Sequence, residues 1–435
     1  MPKCLGRLIE SVKVEYSTNP VATLFASAMS VLLLVFIVAG LLSQGETVYY
    51  MFWKEHDRTF MDFFDSIVYS SDSPYTNWRV IYPPLITVLY GFLGHFMIPF
   101  VNPGSEYLGY ALRDSQMGLM IYLVITAISV YLIVLLMRKV LKTEGRMKEL
   151  LIVLLIASYP FIYAIERGNI IIAALFFCSI FVFGYNSENK VIRYLSYLAL
   201  AIATGFKIYP LFLGILIVRE SRYKEAAVCF AMGVCAVFLP FLLTDGGPLV
   251  MLENIINYVV IDAPFGFINI NQFMLTIFGF FLPNQTIDII SYVIVAIMYA
   301  VTFAIVLTDR EIEFWKITAL ICCCIILGPG VGTPYLFIYL FIPLILFLNE
   351  GGIMSKSKVF YLICFVMIFA LLPGFASRWE DIALVIIYSI KALFVMLLMM
   401  GIIVDRILLL NSRRQKCRSR CQGEEDHDNL SEGMR

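Results

Sequence analysis

The chain has 435 residues, of which 60% are hydrophobic and only 15% charged, and its mean hydropathy is +0.85. Soluble domains carry about 25% charged residues, so this composition excludes a water-soluble globular protein and indicates one with many membrane helices. The formal net charge is +0. A nucleic-acid-binding protein would present an excess of basic residues, so we expect no nucleic-acid partner.

The first apolar run covers residues 21–42 and follows three basic residues, Lys3, Arg7 and Lys13. A membrane-spanning helix needs about 20 apolar residues, whereas the core of a signal peptide is shorter. The sequence therefore predicts an uncleaved first span with a cytoplasmic N-terminus, because basic residues favour the cytoplasmic side.

Residues 44–114 are predicted to form one large external loop. Within it, residues 60–70 favour a short helix, and residues 84–98 favour a second helix that starts with Tyr-Pro-Pro and ends near Pro99. This second run is short for a span. Counting it as one would also place the basic loop 138–148 outside, so we expect both helices to lie at the membrane interface.

Basic residues in the rest of the chain cluster in short loops, which the positive-inside rule assigns to the cytoplasm. The clusters lie at residues 138–148, 189–193, 219–224, 309–316, 355–358 and 413–420. Each pair of successive clusters requires two crossings, which predicts an all-α integral membrane bundle of about twelve transmembrane helices in a single domain, residues 1–410. The tail, residues 411–435, is predicted to be cytoplasmic and disordered.

Two carboxylates stand out in the external loop. Asp62 and Asp65 are three residues apart and so share one face of the predicted helix, which Tyr69 continues. The alternative interpretation is a solvated interfacial helix whose acidic residues complement the positive end of the helix dipole. The sequence pattern by itself leaves both open.

Other polar residues fall in turns predicted to face the same side. Glu166, Arg167 and Asn169 occupy a short turn between apolar helices, where they could also simply cap the helices. An outward lysine, Lys207, runs against the charge bias. Burying it costs roughly 2.5–3.5 kcal/mol, which an anionic partner would offset, although a snorkelling lysine remains the alternative. Arg378 lies in another such turn.

A polar cluster on one side of the membrane favours chemistry on a lipid-borne substrate, because a transporter places its polar groups near the midplane. Sugar transfer from a polyprenyl phosphate needs one base for the acceptor hydroxyl and cations for the phosphate, whereas a hydrolase needs two carboxylates. That scheme requires no cofactor and no metal. A multi-pass transporter or lipid flippase is the alternative from another class.

Short motifs occur in a fixed order between residues 60 and 348. They are MDFFDSIVY, IYPPL, RGN, GFKIYPLFLGILIV, NINQFMLTIFG and PGVGTPYLFIYLFIPL. This order resembles the polyprenyl-phosphate-sugar-dependent membrane glycosyltransferases of the GT-C fold, nearest to the family-87 mannosyltransferase-like group. The resemblance implies transfer of a mannose-like hexose to a glycan or glycolipid acceptor, with inversion, on the outer face of a bacterial plasma membrane during cell envelope glycan biosynthesis.

The resemblance also implies roles for individual residues. Asp62 corresponds to the family's general base and Lys207 to the lysine expected near the donor phosphate. From the pattern of charged residues we further predict Asp65 as the fallback base or a ligand of the acceptor hydroxyl, and Arg167 as a second cation for the donor phosphate. The residues expected to bind substrate are Tyr82, Pro83, Glu166, Asn169, Tyr209, Asn271 and Arg378. The chain departs from the family pattern at two places: Glu166-Arg167-Gly168-Asn169 stands where relatives read Gly-Gln-x-Asn, and Gln272-Phe273 replaces a more polar step.

Overall fold

The computed structural model describes residues 19–49, 51–52, 58–102, 104, 106–260, 268–328, 332–373 and 380–432. Side chains are described as far as residue 412, apart from those at 259–260 and 380–385. Every regular element in these ranges is a helix, which confirms the predicted all-α class.

The first half of the fold alternates between long apolar helices and the short helices of the external loop. Its α-helices are α1 Pro20–Leu42, α2 Glu46–Tyr49, α3 Met61–Ser71, α4 Pro84–Met97, α5 Leu108–Asp114, α6 Gln116–Val140, α7 Gly145–Ile156, α8 Tyr159–Arg167, α9 Ile171–Gly184 and α10 Lys190–Phe206. A 3₁₀ turn, Ile98–Phe100, extends α4.

The second half contains more 3₁₀ segments, each of which has a proline in its first turn. The α-helices are α11 Ile215–Arg219, α12 Tyr223–Phe238, α13 Gly247–Val260, α14 Ile270–Phe278, α15 Asn284–Thr308, α16 Phe314–Leu327, α17 Phe341–Leu348, α18 Lys356–Phe369 and α19 Glu380–Glu432. The 3₁₀ segments are Tyr209–Gly214, Leu239–Leu243 and Pro334–Leu340. Proline lacks the N–H that an α-helix needs, which explains these breaks.

Five helices of the described chain are long and apolar enough to cross a bilayer. They are α1, α6, Tyr223–Leu243, α15 and the segment Ile386–Ser412 of α19. Helices α7 and α8, which meet at a 46° bend, add a sixth if they are counted as one broken span. The protein therefore has the predicted membrane helices, whereas the count of twelve stays a prediction because the remaining apolar helices are shorter than a full span.

The centre of the bundle is formed by α9, α16 and α17. From Ile317 to Leu327 every residue of α16 is buried, and α17 is nearly as enclosed. In contrast, α6 exposes most of its apolar surface, as expected of a helix that faces lipid. The short helices α3, α4 and α5 pack on one another around Phe64, Ile67 and Tyr90 at one end of α6.

Both helices predicted in the external loop exist, as α3 and α4; their position at the membrane interface stays a prediction. The helix α19 continues through residue 432, and the cytoplasmic, disordered character of the tail stays a prediction. The segment that follows the span contains many residues with good helix propensity, such as Arg, Lys and Gln, so the helix can propagate beyond the membrane.

The lysine in the last span, Lys391, caps another helix. Its ammonium donates hydrogen bonds to the carbonyls of Met367, Ile368 and Ala370 at 3.2, 3.0 and 2.8 Å, and it lies 4.3 Å from the ring centroid of Tyr159. These carbonyls lie at the C-terminal end of α18. The last carbonyls of an α-helix have no N–H partner within the helix, so Lys391 supplies the missing donor.

We expect Lys391→Met to lower the thermal stability of the purified protein in detergent. The change leaves buried carbonyls without a donor, and each such group costs about 1–3 kcal/mol. Lys391→Arg should retain most of the stability because it keeps the donors. Met399→Leu, a buried change on the same helix, is the matched control. A melting temperature for Lys391→Met equal to that of the wild type would contradict the capping role.

Candidate active site

The candidate site is built where the start of the external helix α3 meets the turn after α8. The backbone N–H of Phe60 donates to the carbonyl of Glu166 at 2.7 Å, and Phe60 adopts a left-handed conformation at φ 65°. Gly168 makes this contact possible. Its φ is +70°, and a Cβ at this position would lie 2.6 Å from the carbonyl oxygen of Phe60. Only glycine meets both conditions without strain.

This docking brings together residues that are far apart in the sequence. Asp62 Oδ1 accepts a hydrogen bond from the Arg167 guanidinium at 2.7 Å, and its Oδ2 accepts one from the Asn169 amide at 2.7 Å. The Asp62 and Arg167 side chains are only 17% and 18% exposed. Asn169 Oδ1 in turn accepts from the N–H of Ile171 at the start of α9. The Asp62 carboxylate is thus held in one orientation by two donors.

Lys207 lies in the break that follows α10, outside the helices long enough to span the membrane. Pro210 prevents the α-helix from continuing through the next segment. Gly205 lets α4 approach: a Cβ at Gly205 would lie 2.6 Å from Cδ2 of Leu85. The close contact places the Tyr-Pro-Pro segment at the start of α4 beside Lys207.

The Lys207 ammonium faces aromatic rings. It lies 4.1 Å from the ring centroid of Tyr82 and 5.2 Å from that of Tyr335, and the side chain is 5% exposed. Within the part of the chain that the structure describes, no carboxylate forms an ion pair with it. The negative charge of Asp62 acts on the Lys207 ammonium, although the two groups do not form an ion pair.

The buried position changes the acidity of Lys207. Burial lowers the pKa of the Lys207 ammonium to about 7, while the negative charge of Asp62 acts in the opposite direction. An anionic group bound next to the ammonium would raise this pKa again. The site therefore contains a buried lysine, Lys207, that has no ion-pair partner among the described residues and could bind an anion.

Asp65 faces different partners from Asp62 although the two share a helix face. Asp65 accepts a hydrogen bond from the Tyr107 hydroxyl at 3.0 Å and lies 3.5 Å from the Arg58 guanidinium. Burial raises the pKa of Asp65 even though Tyr107 and Arg58 lower it. Its carboxylate therefore ties α3 to the segment that precedes α5.

The remaining predicted residues fall into three groups. Glu166 accepts a hydrogen bond from the Thr59 hydroxyl at 3.3 Å and adjoins Arg167. Pro83 immediately precedes α4, and Tyr209 lies near Tyr258 and Tyr335. Asn271, in contrast, donates to Asp288 on α15 at 2.7 Å and has no contact with the Asp62 group among the described interactions. Arg378 lies outside the described residues.

Tyr335, whose ring also lies near the Lys207 ammonium, was not among the predicted site residues. The available signal was its position after Thr333-Pro334 at the end of a Gly- and Pro-rich segment, since broken backbone at membrane depth is tolerated where it lines a cavity.

The pair Asp245 and Asn254, which holds the loop before α4 in place, was also not predicted. Asp245 precedes two glycines, a pattern that indicates only a turn.

The sequence can now be compared with those of known proteins. No curated protein gives a significant match to the chain. The model of glycosyltransferase family 87 matches residues 81–329, more than half of the chain. The match includes Tyr82, Arg167, Asn169 and Lys207 and begins after Asp62. Membership of a family of sugar-transferring enzymes decides against the transporter alternative. The chain belongs to glycosyltransferase family 87 and is a membrane glycosyltransferase.

Proposed function

We propose that the protein transfers a hexose, mannose or a close relative, from a polyprenyl-phosphate donor to a glycan or glycolipid acceptor on the outer face of the membrane. The observation that carries this proposal is the pairing of an oriented carboxylate, Asp62, with a buried lysine, Lys207, that lacks an ion-pair partner in the described chain. A lipid-linked phosphodiester supplies the missing anion, and the apolar surroundings suit its lipid chain.

The reaction is a single displacement. The acceptor hydroxyl attacks the anomeric carbon as the bond from that carbon to the phosphate oxygen breaks, so the configuration inverts. The proton of the hydroxyl passes to Asp62, and the electron pair of the broken bond leaves on the phosphate. Because the phosphate is already a stable leaving group, one weak base suffices and no acid is needed to protonate it.

The Asp62 carboxylate has acceptor sites left for the proton of the acceptor hydroxyl. Each carboxylate oxygen has about two acceptor sites, and Arg167 and Asn169 use one on each oxygen. The two donors fix the direction of the remaining lone pairs, which is the kind of preorganisation that proton transfer requires.

The phosphate is assigned to Lys207 more firmly than to Arg167. The Arg167 guanidinium already donates to Asp62 and reaches the carbonyl of Arg58 at 3.4 Å, so its main task here is to position the base. The Lys207 ammonium forms no ion pair with a carboxylate of the described chain. In surroundings of low dielectric, a cation strongly stabilises the charge that develops on the leaving phosphate.

The orientation rests on the distribution of basic residues, which assigns the basic loops to the cytoplasm and the turns at Arg167 and Lys207 to the opposite face. In the structure, Tyr122 at the first end of α6 contacts the site through the carbonyl of Ile165, whereas Arg138 and Lys139 lie at its other end. The 25 residues of α6 separate these ends by about the thickness of a bilayer.

The test is sugar transfer in membranes that contain the expressed protein. A panel of radiolabelled donors would include polyprenyl-phosphate mannose, polyprenyl-phosphate glucose and the corresponding nucleotide sugars. We expect label in a new glycosidic product with a polyprenyl-phosphate donor and none with a nucleotide sugar. Transfer from the nucleotide sugar in membranes depleted of polyprenyl phosphate would overturn the proposed donor class.

A further inference from the structure

A pair of stacked aromatic side chains continues the helix face that carries the proposed base. Tyr69 lies seven residues after Asp62 on α3, so the two point the same way, about 10 Å apart along the helix axis. The ring of Trp78 stacks on Tyr69 with centroids 4.7 Å apart and planes 27° apart. Trp78 is 41% exposed, so it presents aromatic surface to the outside of the protein.

The aromatic pair and the donor side of the site share one apolar cluster. Tyr69 and Tyr82 both pack against the cluster formed by Tyr75, Val80 and Met251. The ring of Tyr82 also contacts the Lys207 ammonium. A ligand that extends away from the reacting atoms along α3 therefore passes from Asp62 towards Trp78.

Hydrogen bonds with two residues hold both ends of the loop that carries Trp78. They are Asp245, just before α13, and Asn254, within α13. Asp245 accepts hydrogen bonds from the backbone N–H of Tyr75 at 3.0 Å and from that of Thr76 at 2.9 Å, and also from the Thr76 hydroxyl. The Asn254 amide donates to the carbonyls of Tyr75 and Val80 at 2.9 and 3.4 Å. The exposed Trp78 thus sits on a loop whose backbone is held in one shape.

A clamped, exposed tryptophan has the properties of a binding platform. Large rigid aromatic side chains provide contact area at a low cost in conformational entropy, and a fixed loop lowers that cost further. A pyranose ring presents an apolar face of C–H groups that packs on an aromatic ring, while its hydroxyls at the edge need polar partners. Arg58, 41% exposed and adjacent to Asp65, supplies such a partner beside Tyr69.

We propose that Tyr69 and Trp78 form a sugar-stacking subsite for the acceptor, so that the acceptor is a glycan of at least two linked sugars. The inference rests on the proposed function for the position of the reacting hydroxyl at Asp62. The axial distance from Asp62 to Tyr69 exceeds one sugar ring, so the terminal sugar occupies the reacting position and an earlier sugar lies on Trp78.

The test is binding of mannotriose to the full chain in lipid nanodiscs, measured by calorimetry, with sorbitol as an acyclic polyol that lacks a ring face. We expect the wild type and Asp62→Asn to bind mannotriose and not sorbitol. Trp78→Ala should weaken this binding at least tenfold, and Trp78→Phe, which keeps an aromatic face, should restore most of it. Phe92→Ala is the matched control, because Phe92 is an exposed aromatic on α4 outside this face.

The outcomes separate the alternatives. Failure of the wild type to bind mannotriose, or equal binding by Trp78→Ala, overturns the subsite. An equal loss of binding in Trp78→Ala and Phe92→Ala also overturns it, since that result indicates membrane anchoring by exposed aromatic residues. A wild type that binds mannotriose but transfers no sugar from polyprenyl-phosphate mannose contradicts that donor and leaves the subsite in place.

Discussion

Asp62→Asn is expected to abolish sugar transfer while leaving the amount of protein in the membrane unchanged. The amide keeps the size of the carboxylate but cannot take the proton of the acceptor hydroxyl, and a general base contributes about 10²–10⁴ in rate. The loss should appear in kcat, measured with labelled donor at saturating concentration, because we propose that the donor phosphate binds to Lys207 and not to Asp62.

Asp65→Asn is the informative comparison, because Asp65 lies on the same face of α3 but bonds to Tyr107 and Arg58. We expect this variant to retain a measurable part of the activity. Asp72→Asn, at the exposed end of α3, serves as the control for a change of charge on that helix and should behave like the wild type. Equal activity in the Asp62 and Asp65 variants would remove the assignment of the base.

Lys207→Met is expected to lower kcat/KM for the donor by about 10²–10³, the usual loss when one preorganised electrostatic contact is removed from a transition state. Methionine fills much of the same volume between the rings of Tyr82 and Tyr335, so the change removes the charge and little of the packing. Lys190→Met, at the first residue of α10, the helix that precedes Lys207, is the matched control and should leave the activity unchanged.

The same residue predicts a pH dependence. Burial lowers the pKa of Lys207 to about 7 in the unliganded protein, so its positive charge is present below pH 7 and is lost as the pH rises through 7. The phosphodiester of the donor does not titrate in this range. We therefore expect kcat/KM for the donor to fall above pH 7. Lys207→Arg should flatten this fall, because arginine stays charged; an unchanged profile in that variant would argue against Lys207 as the titrating group.

Much of the site was predictable as a set of positions, but the partners within it were not. The residues Asp62, Arg167, Asn169 and Lys207 could each be assigned to one side of the membrane from hydropathy and charge bias. Their contacts depend on Gly168, whose positive φ and missing side chain let Phe60 dock on the turn. Glycine is common in turns, so the presence of Gly168 does not indicate that Phe60 packs against it.

Tertiary contacts add partners that the sequence did not indicate. Arg167, predicted to bind the phosphate, lies 2.7 Å from Asp62, 105 residues away in the sequence. Asn271, predicted to bind substrate, donates a hydrogen bond to Asp288. Lys391, in the last span, donates one to the carbonyl of Ala370 at the end of α18. In each case the partner lies on or at the end of another helix, and helical periodicity carries no information about it.

The sequence by itself determined that this chain is a bundle of membrane helices with polar residues gathered in its turns. It does so because lipid offers no hydrogen bonds, so long apolar segments must satisfy their backbone internally as helices. Only the tertiary structure decided which of the two neighbouring aspartates faces Arg167 and Asn169 and which faces Tyr107. The reason is that both carboxylates lie on the same face of α3, and what distinguishes them is the set of donors that other helices bring to each.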